Sequence, residues 1–266
     1  MIIDYYSSLI LSSFLVGDEV VFRSVATALA TLYTATKYLV AELDMKAIIF
    51  IKENINTDNV LLVLQTLTVL YSEEDTDLSC STDPVLVSHN DNSMNKDIKI
   101  IQRKCFNIID KNAKKVLDGD EIEDISLVLL KAILSRDTLC VPSELCVWQA
   151  LNRWSHRQCR RRQISPTTNN KRKVLEGAEM LVRYLTLTCH QFTNITSLLT
   201  KEEEDSIMAC MVNREATLIK SLQDYQALMS SPRQGRRGLW RRCRGRDGTR
   251  DVIRKQVITA LVWILD

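Results

Sequence analysis

Glycine and proline are scarce in this chain, seven and four residues in 266, against roughly 7% and 5% in ordinary globular proteins. Four of the seven glycines follow residue 230, which leaves only Gly17, Gly119 and Gly177 before it. A β-sandwich or barrel turns about every 8–12 residues and builds those turns from Gly, Pro, Asn and Asp. A dinucleotide or P-loop site clusters its glycines so that the backbone can approach phosphates closely. Neither architecture fits, and a mainly helical protein is expected. Long apolar runs are also missing, so no transmembrane helix is expected. The apolar start, MIIDYYSSLILSSFLV, lacks a basic leader and carries Asp4, and reads as buried structure rather than a signal peptide.

Histidine is limited to His89, His156 and His190. His156 and Cys159 share a helix face, but no second ligand pair has metal-site spacing. Cys189 and His190 are adjacent and would not face one site together on a helix. CxxC, HExxH, GxSxG and GxxxxGK[ST] motifs are all absent. The acid run 202–205 reads as a solvated helix start, favoured by the helix dipole. No catalytic residue, metal site or cofactor is expected, and an enzyme is not. The eight cysteines, at 80, 105, 140, 146, 159, 189, 210 and 243, sit largely among helical apolar positions. They read as free intracellular thiols that pack as small hydrophobes.

The net charge of +2 conceals an asymmetry. Residues 231–266 carry ten basic and three acidic residues, and residues 1–230 carry 25 against 30. The body is mildly acidic, so nucleic acid is not an expected partner. Residues 231–250 hold eight Arg and four Gly, a composition that buries no core and reads as a basic tail. Arg157, Arg160, Arg161 and Arg162, with Lys171, Arg172 and Lys173, flank a loop and read as solvated.

What the chain does have is helical periodicity. Apolar stripes run through Val25, Leu29, Leu32 and Leu39, with Thr36 as a polar member, then through Leu43, Ala47, Phe50 and Ile51. Others are Val60–Leu64–Leu67–Tyr71, Ile98–Ile101–Cys105–Ile108–Ile109, Ile125–Leu129–Ala132–Ile133 and Val174–Ala178–Leu181–Val182–Leu185. Short polar breaks between them predict a stack of antiparallel helices. Pro142 suits the first position of a helix over 143–160. Thr200 to Glu203 spells a capping box. Asp18 to Phe22 is the one stretch that reads as a strand. Residues 72–96 are acidic, rich in Ser and Asn, aperiodic, and read as a mobile loop or insertion. Residues 251–265 turn apolar again.

These residues resemble a known family. ATLYTATKYLVAELDMKAIIFIKENINTDNVLLVLQ (30–65) is similar to the C-terminal helices of a BTB/POZ domain. CFNIIDKNAKKVLDGDEIEDISLVLLKAILSRDTLCVPSELCVWQALNRWSHRQCRRR (105–162) is similar to the start of a BACK domain, and NNKRKVLEGAEMLVRYLTLTCHQF (169–192) continues it. The matching features are Tyr33, Lys37–Tyr38, Ile109 to Ala113, Arg136 to Leu139, and Glu144 with Trp154. The branch most resembled carries a C-terminal PHR β-sandwich. The resemblance implies a mainly α architecture: an antiparallel helical BACK stack preceded by the last helices of a BTB/POZ α+β domain. The expected division is a partial BTB/POZ domain over 1–71, an acidic insertion over 72–97, BACK over 98–215, and a basic tail with a short apolar helix over 216–266.

Members of the family are non-catalytic adaptors of cullin-3 ubiquitin ligases. The resemblance therefore implies a cullin-3-type scaffold and an unknown protein substrate as partners, with no membrane and a cytoplasmic location. The Arg-rich tail is a candidate nuclear signal. Contacts are expected from Leu15, Val16 and Asp18 in the BTB part, and from Phe106 and Lys111 in the first BACK helices. Val16 stands where the family commonly has a tyrosine. The BTB match begins only near residues 5–9, so the first half of that domain is expected to be missing and homodimer formation to be weakened. Leu9, Leu32, Leu39 and Phe50 would then stay exposed unless they fold back onto BACK. The alternative reading is a BTB–BACK interaction module without ligase function.

Overall fold

Serine and threonine mark where six of the described helices begin. Ser24, Ser126, Ser143, Thr167, Thr188 and Thr200 each accept a backbone N–H with the side-chain oxygen at a helix start. Such caps are worth about 1 kcal/mol each. Ser24 with Thr27, Thr188 with Gln191, and Thr200 with Glu203 complete reciprocal capping boxes. The cap of the 143–160 helix is thus Ser143, and Pro142 lies one residue outside it, because a serine oxygen satisfies an orphan N–H that proline can only omit.

The computed structural model describes residues 10–71, 93–195, 198–213 and 216–233. Residues 10–16 are helical. Then follow α1 (Val25–Lys37), α2 (Ala41–Asn54), α3 (Val60–Leu70), α4 (Ser93–Lys111), α5 (Ala113–Asp118), α6 (Leu127–Leu134) and α7 (Glu144–Arg161). The C-terminal part holds α8 (Thr168–Leu175), α9 (Cys189–Thr193), α10 (Lys201–Val212), α11 (Lys220–Gln223) and α12 (Gln226–Ser230). Short 3-10 turns occupy Glu121–Glu123, Ala178–Leu181 and Tyr184–Thr186. The protein is mainly helical, and no strand occurs among the described residues.

Asp18 to Phe22 is therefore extended without being a strand. The side chains alternate as in a strand, with Val21 at 72% exposure between half-buried Val20 and Phe22. No neighbouring strand offers its backbone a ladder, and the inward side chains pack on helices instead. The stripe from Val174 to Leu185 is likewise not one helix. Glu176 and Gly177 take left-handed conformations (φ 48° and 87°), which ends α8 and reverses the chain into the 3-10 turns. Its apolar members are still buried or half-buried, so periodicity found the core face but not the break. Of the acidic stretch, residues 72–92 lie outside the described residues, while 93–96 belong to α4. Residues 251–265 also lie outside them.

One apolar core runs from Val25 in α1 to Met229 in α12. Leu32 is fully buried in it and Phe50 packs against it, so α1–α3 lie directly on the later helices. Gln65 accepts the Ser126 N–H at 2.8 Å, and Lys115 pairs with Asp58 at 2.6 Å across the same boundary. Leu39 is the exception at 88% exposure, and Leu9 lies outside the described residues. A second, smaller cluster of Leu11, Ala35 and Leu43 joins residues 10–22 to the far ends of α1 and α2. Phe22 packs against both clusters and meets the Phe50 ring at 5.3 Å.

Buried polar groups tie the short helices together. Trp154 donates its indole N–H to the Ile125 carbonyl at 3.0 Å. Arg153 donates to the carbonyls of Leu117, Asp118 and Gly119, closing the end of α5 from α7. The Asp110 carboxylate accepts a two-pronged contact from Arg136 at 2.8 and 3.0 Å and a hydroxyl from Thr138 at 2.6 Å. Arg172 and Glu203 are structural rather than solvated. The Arg172 guanidinium grips both Glu203 oxygens, donates to the Leu198 carbonyl, and lies 3.7 Å from Glu179. Lys171 is also buried, bonded to Asn152 at 2.9 Å.

Two predictions follow from these polar contacts. Asp110→Ala removes the two-pronged carboxylate contact of Arg136 and the Thr138 acceptor and should cost about 3 kcal/mol in urea unfolding; a loss below about 1 kcal/mol would mean that water replaces the carboxylate fully. Burial raises the Glu179 carboxyl above the ordinary glutamate range, with Arg172 opposing and Glu203 adding to the shift. The folded state then holds that proton more tightly than the unfolded chain, so this group lowers stability as the pH rises through its window. Glu179→Gln should raise the melting temperature near about pH 7 and lose that advantage near about pH 4. An equal change at both pH values would show that Glu179 titrates normally.

Candidate protein-interaction surface

Chemistry-bearing side chains are dispersed. Among the described residues no group of three or more His, Cys, Asp or Glu could hold a metal ion. Cys159 is fully buried three residues from His156, which removes it from a shared ligand face. Burial pushes the Cys105 thiol up to about 12, leaving it protonated and unreactive at neutral pH. Cys189, beside His190 in α9, is the exposed thiol among six free cysteines in the described residues. His89, Cys80 and Cys243 lie outside them.

What the surface does offer is exposed apolar side chains at the N-terminal end. Gly17, at φ +94°, closes the 10–16 helix. Its N–H reaches the Phe14 carbonyl at 3.0 Å and the Asp18 N–H reaches that of Ser13 at 3.0 Å, a Schellman ending with glycine at the left-handed position. This closure leaves Leu15 and Val16 pointing outward at 68% and 81% exposure, followed by exposed Asp18. Phe14 turns the other way, into the small cluster, beneath the Lys46 ammonium 5.0 Å from its ring.

The same ending recurs at α1 with leucine in glycine's place. The Leu39 N–H bonds the Thr36 carbonyl at 3.2 Å and the Val40 N–H bonds that of Ala35 at 2.9 Å. Leu39 itself adopts φ +59°, a conformation that costs a side chain-bearing residue about 1–2 kcal/mol. No burial offsets that cost, since Leu39 is the most exposed large apolar residue described, with Tyr38 and Tyr33 exposed nearby. Both endings flank the cluster that contains Phe14 and Val40. The sequence stripe through Leu39 hid this residue, because its offset from Val25 fits a helix that has already ended.

The first helix of the BACK-like region separates the other two expected contacts. Phe106 is buried, its ring under the Arg136 guanidinium at 4.6 Å. It is a packing residue here, because Asp110 holds Arg136 across it. Lys111, five residues on, is exposed on the outer face. It lines an open groove of about 610 Å³ with Ile100, Arg103, Lys104, Asn107 and Ile108. Ile100, Arg103, Lys104, Asn107 and Lys111 form a helical stripe facing away from Cys105 and Ile109, while Ile108, half-buried against the core, edges the groove. Nothing in one sequence marks an outward polar residue such as Arg103 or Asn107 as a contact. Lys104 donates to the Lys52 carbonyl and so fixes one wall of the groove to α2.

Comparison with known proteins agrees with this architecture. The family model for BACK, described as "BTB And C-terminal Kelch", matches residues 92–168, which span α4 to the start of α8. BTB/POZ domain-containing protein 6-A of Danio rerio is 31% identical over 202 residues, covering 75% of this chain and 32% of that protein. BTB/POZ domain-containing protein 6 of Xenopus tropicalis is 31% identical over 202 residues, covering 75% and 33%. BTB/POZ domain-containing protein 3 of Homo sapiens is 29% identical over 168 residues, covering 63% and 27%. The chain spans about a third of the length of the curated relatives it matches. No solved structure gives a significant match. BTB–BACK proteins are generally protein-interaction adaptors. With its helical stack, the chain matches the BACK family over residues 92–168 and is similar to BTB/POZ domain-containing proteins over about three quarters of its length.

Proposed function

We propose that this chain works as a non-catalytic, substrate-adaptor-like component of a cullin-3 ubiquitin ligase. The observation that carries this reading is the outward Leu15–Val16–Asp18 tip together with a strained, exposed Leu39 at the other helix ending that flanks the same small cluster. Strain and apolar exposure at one end of a well-packed stack favour a surface that gains its burial from a partner. The α4 groove with Lys111 supplies a second contact on the BACK side. Such a protein acts by holding a protein substrate near the enzymes that modify it, so proximity replaces bond-making. A cytoplasmic location and a weakened pairing of two copies through the BTB part belong to this proposal too, whereas nuclear entry through the arginine-rich tail would favour the alternative. The alternative is an interaction module that uses the same tip without a ligase.

Calorimetric titration against the cullin-3 N-terminal domain tests the reading. Micromolar or tighter binding is expected, about −8 kcal/mol or better, and Val16→Asp should weaken it about tenfold or more. Leu39→Gly separates strain from contact: it should stabilise the fold by about 1 kcal/mol in urea unfolding and weaken cullin binding in the same titration. A folded protein that does not bind would point to the module without ligase function. Unchanged binding in both variants would remove the N-terminal tip from the interface.

A further inference from the structure

Arg233 belongs to the arginine-rich stretch that reads as a solvated tail, yet it is only 1% exposed. Its Nε and Nη2 donate to the two oxygens of Glu144 at 2.8 and 3.3 Å. Its Nη1 donates to the carbonyls of Leu134 and Arg136 at 2.8 and 2.7 Å, and its Nη2 also to that of Leu181 at 3.4 Å. Glu144, in the first turn of α7, is itself 2% exposed. The cavity around the guanidinium therefore presents one carboxylate and three carbonyls, acceptors only. A planar, five-donor fork with a permanent charge matches that set, and a lysine ammonium does not. A second arginine holds the same segment: Arg183 donates to the Ser231 carbonyl at 2.8 Å and pairs with Asp137.

We propose that Glu144 and the carbonyls of Leu134, Arg136 and Leu181 form an intramolecular binding site for an arginine presented on a Ser-Pro-Arg segment. Occupied by Arg233, the site clasps the end of the helical stack and fixes the point from which the chain continues. This inference is independent of any cullin contact. The division of anchors within 216–233 supports it. The first half is held by buried Leu218 and Leu222 and by the Ile219 N–H on Ser206 at 3.0 Å. The second half, α12 and residues 231–233, has Met229 as its one fully buried apolar anchor beside Arg233. Withdrawing Arg233 should free the second half and leave the first in place.

Hydrogen exchange on the full chain reads this directly. In Arg233→Ala, amides of 226–231 should exchange about tenfold faster or more, while those of 218–223 and of α7 keep their rates. Arg233→Lys should resemble Arg233→Ala, since one ammonium cannot span the four acceptors. The peptide Ser-Ser-Pro-Arg-Gln-Gly should bind Arg233→Ala saturably and leave the wild type, whose site is filled, untouched. If Arg233→Ala does not fold, the paired variant Glu144→Met with Arg233→Met removes both charges together, and its exchange at 226–231 is read in the same way. Unchanged exchange at 226–231, or an equal rise across 216–231 with no peptide binding to Arg233→Ala, would overturn the proposal.

Discussion

The structure turns on the irregular connector between α6 and α7, and on Arg136 within it. A segment without helical hydrogen bonds must find other partners for its backbone and charges. Here the Arg136 side chain reaches back to Asp110 at the end of α4, while its carbonyl accepts from Arg233. The Cys140 N–H, further along, bonds the Asp110 carbonyl at 2.9 Å. One loop is thus held by the first long helix of the BACK region and by the last described residue. Phe106, Leu139, Val141 and Val147 can stay buried because that loop cannot drift away from them.

The same economy appears elsewhere in the stack. Short helices leave many terminal N–H and C=O groups in few residues. Six N-termini are satisfied locally by serine and threonine, and the C-terminal ends of α5 and α6 by arginines from elsewhere in the chain, Arg153 and Arg233. Arg172 repeats the pattern by joining α8, the turn at Glu179, and α10. The arginines that seemed to be surface decoration in composition are therefore much of what orders the C-terminal half.

The helical class, the core stripes and the Thr200 capping box were legible because each depends on residues a few positions apart. The caps at Ser24, Ser126 and Ser143 were not read, and at the last of them Pro142 drew the helix start to itself. The break at Glu176 was not, since a non-glycine residue in the left-handed region has no compositional mark. Arg233 and Arg172 were misread for a different reason. Their partners lie 89 and 31 positions away, and a charge shows no preference for burial until its counter-charge is placed. At the candidate surface, Leu15, Val16, Asp18 and Lys111 could be named from resemblance, and all are exposed. Phe106 is buried beneath Arg136, which one sequence does not show because an aromatic on a helix gives no sign of which arginine will cover it.

Phe22 gives the two apolar clusters different roles. Outside the shared rods of α1 and α2, this half-buried ring is the side chain packed against both. Free energy released by docking at the N-terminal tip must pass through one aromatic contact and two helix ends to reach the large core. With only three buried members, the small cluster is where local opening should cost least. It can open and re-form on its own timescale while the main stack stays shut. A partner engaging the tip would select among states of this unit alone, so its affinity could change in evolution without altering how well the rest of the chain folds.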